Sequence, residues 1–213
     1  MKLKLTFAVS ISLLTVLGAA RANTISGRLW HVPEATSLNA IFANVPVATA
    51  DVQFDVNSPF NFFGSVVSVQ TWLNNGSAFN IVENTAGTLA SLMDGGTPQH
   101  GTIVDFQGFV SVVNGQTFTV THDDGLQLRI GALLVIDQPG PTAPITQTFT
   151  YGGPNGTFPF ELVYGECCGG PAVLQISLPL SNTPTVPEGG MTVVLLGMGL
   201  AGLLGLTRCT TKK

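Results

Sequence analysis

Two aspartates stand side by side in Thr121-His122-Asp123-Asp124-Gly125-Leu126-Gln127-Leu128. Phe118 and Val120 alternate into the pair, and Leu126, Leu128 and Ile130 alternate out of it, so both flanks read as strands. Neighbouring side chains of a strand point to opposite faces. Two adjacent carboxylates therefore reach one ion only where the peptide between them is cis, which turns both to one side. A hard cation that collects several oxygen ligands, calcium above all, is the ion such a pair suits. The same letters also carry a plainer reading: Asp124-Gly125 between alternating apolar runs is a hairpin signal.

Other reactive side chains are few. His31, His100 and His122 are scattered, and His122 beside the aspartates reads as a turn residue rather than a base. Cys167 and Cys168 are adjacent, and Cys209 lies near the end. No second Cys pair or His pair stands at zinc-ligand spacing. Neither a Gly-x-Ser-x-Gly elbow nor a His-Glu-x-x-His stretch occurs. A glycosidase needs carboxyl groups about 5–10 Å apart across a cleft, which adjacent aspartates match poorly. The expectation is a protein that is not an enzyme.

The elements that must position these residues read as strands. Gln53–Val56 is an early strand, Asn57–Gly64 a turn-rich stretch with Pro59, and Ser65–Leu73 a further strand candidate ending near Trp72. A short helix is expected around Glu34–Phe42. Thr102–Val113 divides into strands at Ile103–Phe106 and Phe109–Val113, and Asn114-Gly115 marks a tight hairpin. Gln116–Thr121, Leu126–Ile130 and Leu133–Ile136 follow. After the Pro-rich loop Gln138–Pro144 come Thr146–Tyr151, Phe158–Tyr164 and Val173–Leu178. Short strands at this spacing, broken by Gly, Pro and Asn turns, predict an all-β antiparallel sandwich or barrel. The topology of residues 23–101 is not fixed by this pattern.

The chain has 213 residues, 45% hydrophobic and 9% charged. Its cations are concentrated at the ends: Lys2, Lys4 and Arg21 at the start, Arg208, Lys212 and Lys213 at the finish. Between residues 23 and 185, eleven acids face only Arg28 and Arg129. So acidic a body repels phosphate backbones, which argues against nucleic acid as a partner and suits cations or neutral ligands.

The ends read as addresses. Lys2 and Lys4 precede an apolar run from Leu5 to Leu17, and Ala20-Arg21-Ala22 offers small residues to signal peptidase. Residues 1–22 are expected to be a secretory signal peptide. At the other end, Val186-Pro187-Glu188-Gly189-Gly190 precedes an uncharged run from Met191 to Leu206, then Arg208, Lys212 and Lys213. This tail, residues 186–213, resembles the bacterial PEP-CTERM sorting signal, although Gly189 stands where many members carry a second proline. The resemblance implies a hydrophobic sorting helix over 191–206 and a precursor held at the inner membrane. It also implies processing by an exosortase at Val186, Pro187, Glu188 and Gly189, in a Gram-negative bacterium that makes exopolysaccharide. Residues 23–180 form the expected sandwich domain and 181–185 a linker.

Within that domain a second resemblance rests on quoted strings. They are Phe106-Gln107-Gly108-Phe109, Gly115-Gln116-Thr117-Phe118-Thr119-Val120-Thr121, Asp123-Asp124-Gly125-Leu126-Gln127-Leu128-Arg129-Ile130 and Leu134-Val135-Ile136-Asp137. Phe158-Pro159-Phe160-Glu161-Leu162-Val163-Tyr164 and Gly169-Gly170-Pro171-Ala172-Val173-Leu174 complete them. From about Thr102 to Pro179 the order resembles the protective-antigen domain, a β-sandwich whose carbohydrate-binding members include yeast flocculins and adhesins. In those lectins a cis-linked Asp pair holds calcium, which in turn holds sugar hydroxyls. The resemblance carries that role to Asp123 and Asp124, and puts Glu166 where many lectins offer an Asn ligand. Loop residues Tyr151, Asn155, Cys167, Cys168, Gly169 and Gly170 are expected to meet the ligand. In an oxidising compartment Cys167 and Cys168 form a vicinal disulfide, remain reduced, or pair between molecules; all three stay open. The expected function is an exported, calcium-dependent carbohydrate-binding protein of the exopolysaccharide or biofilm matrix, at the cell surface or beyond it, with an extracellular glycan as partner. The alternative is a structural matrix protein of the same fold.

Overall fold

The computed structural model describes residues 24–94 and 100–181. The signal peptide, the sorting motif Val186–Gly189 and the apolar run Met191–Leu206 lie outside them. Among the described residues no helix is long and apolar enough to cross a membrane.

Twelve strands are described. In chain order they are β1 (Thr24–Pro33), β2 (Val52–Asn57), β3 (Phe60–Gly64), β4 (Phe79–Glu83), β5 (His100–Val112), β6 (Thr117–Asp123), β7 (Leu126–Ile130), β8 (Leu133–Gln138), β9 (Ile145–Thr150), β10 (Gly156–Glu166), β11 (Ala172–Ile176) and β12 (Leu180–Ser181). The larger sheet runs β4-β2-β1-β5-β10-β7-β8, with β12 beside β5; the smaller runs β3-β11-β6-β9. The pairings are antiparallel. The all-β antiparallel expectation agrees with this architecture. Strand β12 takes in Ser181, the first residue of the expected linker.

The core between the sheets is aromatic. Phe54, Phe60, Phe62 and Phe106 meet at ring-centroid distances of 4.6–6.4 Å. Phe62 stacks on Trp72 at 4.2 Å, and Trp72 lies parallel to Tyr164 at 5.8 Å. Such offset or edge contacts add about 0.5–1.5 kcal/mol per pair beyond area burial. Trp30, Val32, Ala40, Ala50, Ile103 and Val163 make a second cluster on the outer side of the large sheet. That cover explains the unbroken burial from Leu162 to Cys167, the pattern of a strand apolar on both faces.

Four local expectations are corrected. Phe60–Gly64, read as turn, is strand β3, and its alternation is plain in the burial of Phe60 and Phe62 against exposed Asn61 and Phe63. Ser65–Leu73, read as strand, holds instead the helix α2 (Val69–Asn75). Val69, Trp72 and Leu73 are its buried residues, a spacing of three and four that fits a helix. The Ser68 side chain caps it by accepting the Thr71 N–H at 3.2 Å. Ser68→Ala should cost about 1 kcal/mol, read as a lower urea midpoint at unchanged slope; an unchanged midpoint would assign the helix to Trp72 packing alone. Ile103–Phe106 and Phe109–Val113 belong to one continuous strand, β5. Around Glu34–Phe42, the expected helix is a single turn at Glu34–Ser37.

Candidate functional site

The stretch around the aspartates is not a hairpin. Strand β6 belongs to the small sheet and β7 to the large one, so Asp123-Asp124-Gly125 is a corner where the chain crosses the sandwich. The next crossing at that end is residues 139–144, from β8 to β9, and the third is residues 167–171, from β10 to β11. Three corners converge there. Gly125 shows how closely: a Cβ at this position would lie 2.1 Å from the Pro139 carbonyl oxygen, and its own carbonyl accepts the Gly165 N–H at 2.9 Å.

The Asp123–Asp124 peptide is cis. Both residues are buried, each 4% exposed, and their carboxyl groups are close enough to act on each other's ionisation. Asp124 ties the other corners together: Oδ2 accepts the Cys167 N–H at 2.8 Å and Oδ1 the Thr142 N–H at 3.1 Å. Burial first, then the neighbouring Asp124 charge, pushes Asp123 up to about 7. Asp124 is also raised, chiefly by burial, with the Cys167 and Thr142 N–H groups opposing. Neither arginine of the described chain relieves this pair, and only the neighbouring His122 eases the ionised Asp124. Arg28 is bound to Asp105 and Arg129 to Glu161.

Above the pair opens a cleft of about 400 Å³, lined by Asp123, Asp124, Thr142, Cys168 and Gly170 among others. Cys167 and Cys168 are joined by a disulfide, the first of the three alternatives. Their sulfur atoms lie within 4.8 Å of an Asp124 oxygen, but bonded to each other they offer no thiolate. The donors left are oxygens, which fit calcium or a similar hard cation and not zinc. Asp123 and Asp124 would hold such an ion, and it would supply a positive centre for hydroxyl groups.

Glu166 is placed differently from the expectation. It is fully buried and does not line the cleft. Its Oε2 lies 2.5 Å from the Tyr164 hydroxyl, which also reaches the Asp123 carbonyl. A single hydroxyl proton cannot serve both contacts. Burial, the largest cause, and the nearby Asp124 and Asp123 charges push Glu166 up to about 9, so its carboxyl is neutral at pH 7. The Tyr164 hydroxyl stands between the Glu166 carboxyl and the Asp123 carbonyl and links the two. Glu166 thus supports the corner from beneath instead of ligating across it. The stack Phe62–Trp72–Tyr164 connects that support to the core.

Tyr151 and Asn155 are placed away from the pair. Tyr151 is buried and exchanges backbone hydrogen bonds with the β5–β6 turn, Gly115 N–H to Tyr151 C=O at 2.9 Å and Tyr151 N–H to Gln116 C=O at 2.8 Å. Asn155 accepts the Asn114 N–H at 2.6 Å. They close the opposite end of β6, seven residues or about 20 Å from the aspartates. That end holds the Asn114-Gly115 turn, which likewise joins strands of different sheets. Cys168, Gly169 and Gly170 do line the cleft.

Sequence reasoning missed two contributors to this site and one exposed aromatic outside it. The loop 139–144 read as a Pro-rich spacer, yet Thr142 supplies a backbone N–H to Asp124. His122 read as a turn residue, yet it is 1% exposed, its Nδ1–H donating to the Asp124 carbonyl at 2.5 Å and its Nε2 lying 3.1 Å from the Gln138 side chain. Its place in the alternation with Val120 and Phe118 was the available signal. Phe63 is 53% exposed on the small sheet's outer face, and its strand went unread.

The fold is similar to that of known modules. A PA14 sugar-binding domain from an RTX adhesin superposes with a TM-score of 0.52 and 22% identity, over 73% of this chain and 88% of that one. The PA14 domain of the MpAFP antifreeze protein gives 0.48 and 22%, over 71% and 79%. No family model and no curated protein matches the chain. The likeness is one of fold: the described residues form a two-sheet antiparallel β module similar in fold to that PA14 domain.

Proposed function

We propose that this chain is an exported, calcium-dependent, non-catalytic carbohydrate-binding module of the adhesin kind, acting in an extracellular or biofilm matrix. The observation that carries the proposal is the buried Asp123–Asp124 pair. Both line a cleft, with a cis peptide between them and no arginine or lysine of the described chain paired to either. Calcium would neutralise the pair, and its remaining coordination positions would take sugar hydroxyls. The sugar-binding description of the adhesin domain of similar fold supports this reading. The cleft walls, Thr142 on one side and Cys168–Gly170 on the other, would set which sugar fits.

Export fits the same picture. A signal peptide over residues 1–22, and PEP-CTERM-type processing by an exosortase at Val186–Gly189, would carry the module across the inner membrane to the surface or matrix. The test is a glycan array with the secreted form, read in calcium and again in chelator. Binding present in calcium and lost in chelator is expected. Equal signals in both would leave sugar binding and remove calcium from it; none in either would leave a structural matrix protein as the better account.

A further inference from the structure

The small sheet's outer face carries a second cleft that the Asp site does not use. It has a volume of about 310 Å³ and is lined by Asn61, Thr119, Thr121, Gln175 and Ser177 among others. The strand registers arrange these residues in rows. Gln175 lies opposite Asn61 on β3 and opposite Thr121 on β6, and Thr121 lies opposite Thr146 on β9. Val173, in the next row, lies opposite Phe63 on one side and Asp123 on the other.

Strand alternation puts Thr119, Thr121 and Asp123 on one face of β6. The second cleft, lined by Thr119 and Thr121, and the Asp cleft, lined by Asp123, thus lie in succession on the same face of β6. From Thr119 to Asp123 is four residues, about 13 Å, a span of a few sugar rings. The residues lining the second cleft between these strands, Asn61, Thr119, Thr121, Gln175 and Ser177, are polar but uncharged. Gln175 Nε2 donates to Asn61 Oδ1 at 2.7 Å, Thr121 and Thr146 share a hydroxyl bond at 2.8 Å, and the Thr119 hydroxyl donates to Ser177 at 3.3 Å. Each amide and hydroxyl keeps further donor and acceptor capacity. Exposed Phe63, in the row of Asp123, is an apolar plate on a polar face, suited to the C–H side of a pyranose. Hydroxyls and carboxamides around one aromatic plate match a neutral sugar chain, which offers alternating hydroxyls and C–H faces and no charge.

We propose that the outer face of β3, β11 and β6 is an extended subsite that holds neighbouring residues of a neutral polysaccharide whose anchoring sugar sits at Asp123–Asp124. The module is then a reader of chain interiors or chain ends several residues long, rather than of single sugars. This rests on the sugar-binding reading of the Asp cleft.

The test is titration calorimetry of the mature protein in calcium, with gluco-, galacto- and manno-oligosaccharides from monosaccharide to hexasaccharide. For the sugar series that binds, Kd is expected to fall about tenfold between monosaccharide and tetrasaccharide, the worth of one or two added hydrogen bonds and a stacked ring. The double variant Thr121→Val, Gln175→Ala, and separately Phe63→Ala, should keep the monosaccharide Kd and the calcium Kd while losing that gain. Their sites are on the strand surface, so unchanged circular dichroism serves as the folding control. A Kd independent of length, or a gain untouched by the variants, overturns the extended subsite and leaves the Asp site standing. Long chains bound equally in chelator, with the variants defective, would support the groove and overturn the calcium reading. No binding at any length overturns both.

Discussion

Asp124→Asn is expected to abolish calcium binding, with Kd raised at least about a hundredfold in calorimetry and the heat signal lost at millimolar calcium. Two effects add. The ion loses one of the two carboxylates at the cleft floor, and charge count is a main determinant of calcium affinity. The asparagine also keeps one oxygen where Asp124 uses two, so its NH₂ must face either the Cys167 or the Thr142 N–H, a donor against a donor. Calcium bound to the native state alone stabilises by about 2.7 kcal/mol at a hundred times its Kd. In a chain of this size that raises Tm by roughly 5–10 °C, and the rise should vanish in the variant. Asp123→Asn separates the two effects, because Asp123 faces Asp124 and does not hold those two N–H groups. It should lose calcium equally while destabilising the calcium-free protein less. Native-like calcium heats in either variant would remove the aspartate pair from the ion site.

The comparison of the two variants depends on a geometry only partly legible in the sequence. The adjacent acids between alternating runs were visible. Their flanking strands agree with β6 and β7, and the peptide between them is cis. The sheet assignment was not, because a strand pattern records which residues are buried and says nothing about which neighbour covers them. Hence Asp124-Gly125 and Asn114-Gly115 read as hairpins when both are crossings between sheets. The same blindness misplaced Tyr151 and Asn155. Their loop looks equivalent to Cys167–Gly170 along the chain, but the connections before and after antiparallel strand β10 fall at opposite ends of the sandwich. Glu166 was nearer the mark in sequence than in space: it is close enough to feel both aspartates, but strand β10 sends its side chain inward to Tyr164. Trp72 ended a run that alternates well enough for a strand, and only the Ser68 cap and the burial of Val69 and Leu73 reveal the helix. Where local period and end signals agreed, as at β6 and β7, the reading held; where burial on both faces or a capped short helix blurred the period, it did not.

The acidic cluster also predicts an unusual response to pH: without calcium, the folded protein should become steadily less stable from pH 5 to pH 9. The sign follows from the direction of the shifts. Asp123 titrates near 7 in the fold against an ordinary 3.8, and Glu166 near 9 against 4.5; Asp124 and Asp105 are raised as well. A raised folded value means that the native state holds its proton more tightly than the unfolded chain. The resulting stability is complete below about pH 4 and is lost as pH climbs through the folded values. Each such group contributes at most about 1.4 kcal/mol per pH unit, and each kcal/mol moves Tm by about 2–4 °C. Thermal scans in chelator should therefore show Tm falling by several degrees across this window. The fall above pH 7 belongs chiefly to Glu166, so Glu166→Gln, which stays neutral throughout, should flatten that half of the curve. Calcium should act in the opposite sense. It binds the ionised pair and so stabilises more at pH 8 than at pH 5, and with saturating calcium the slope below pH 7 should shrink or reverse. A chelated protein whose Tm is flat or rising from pH 5 to 9, or a Glu166→Gln variant that tracks the parent above pH 7, would mean that these carboxyls are hydrated in solution. In that case the aspartate pair would be too well solvated to need a cation.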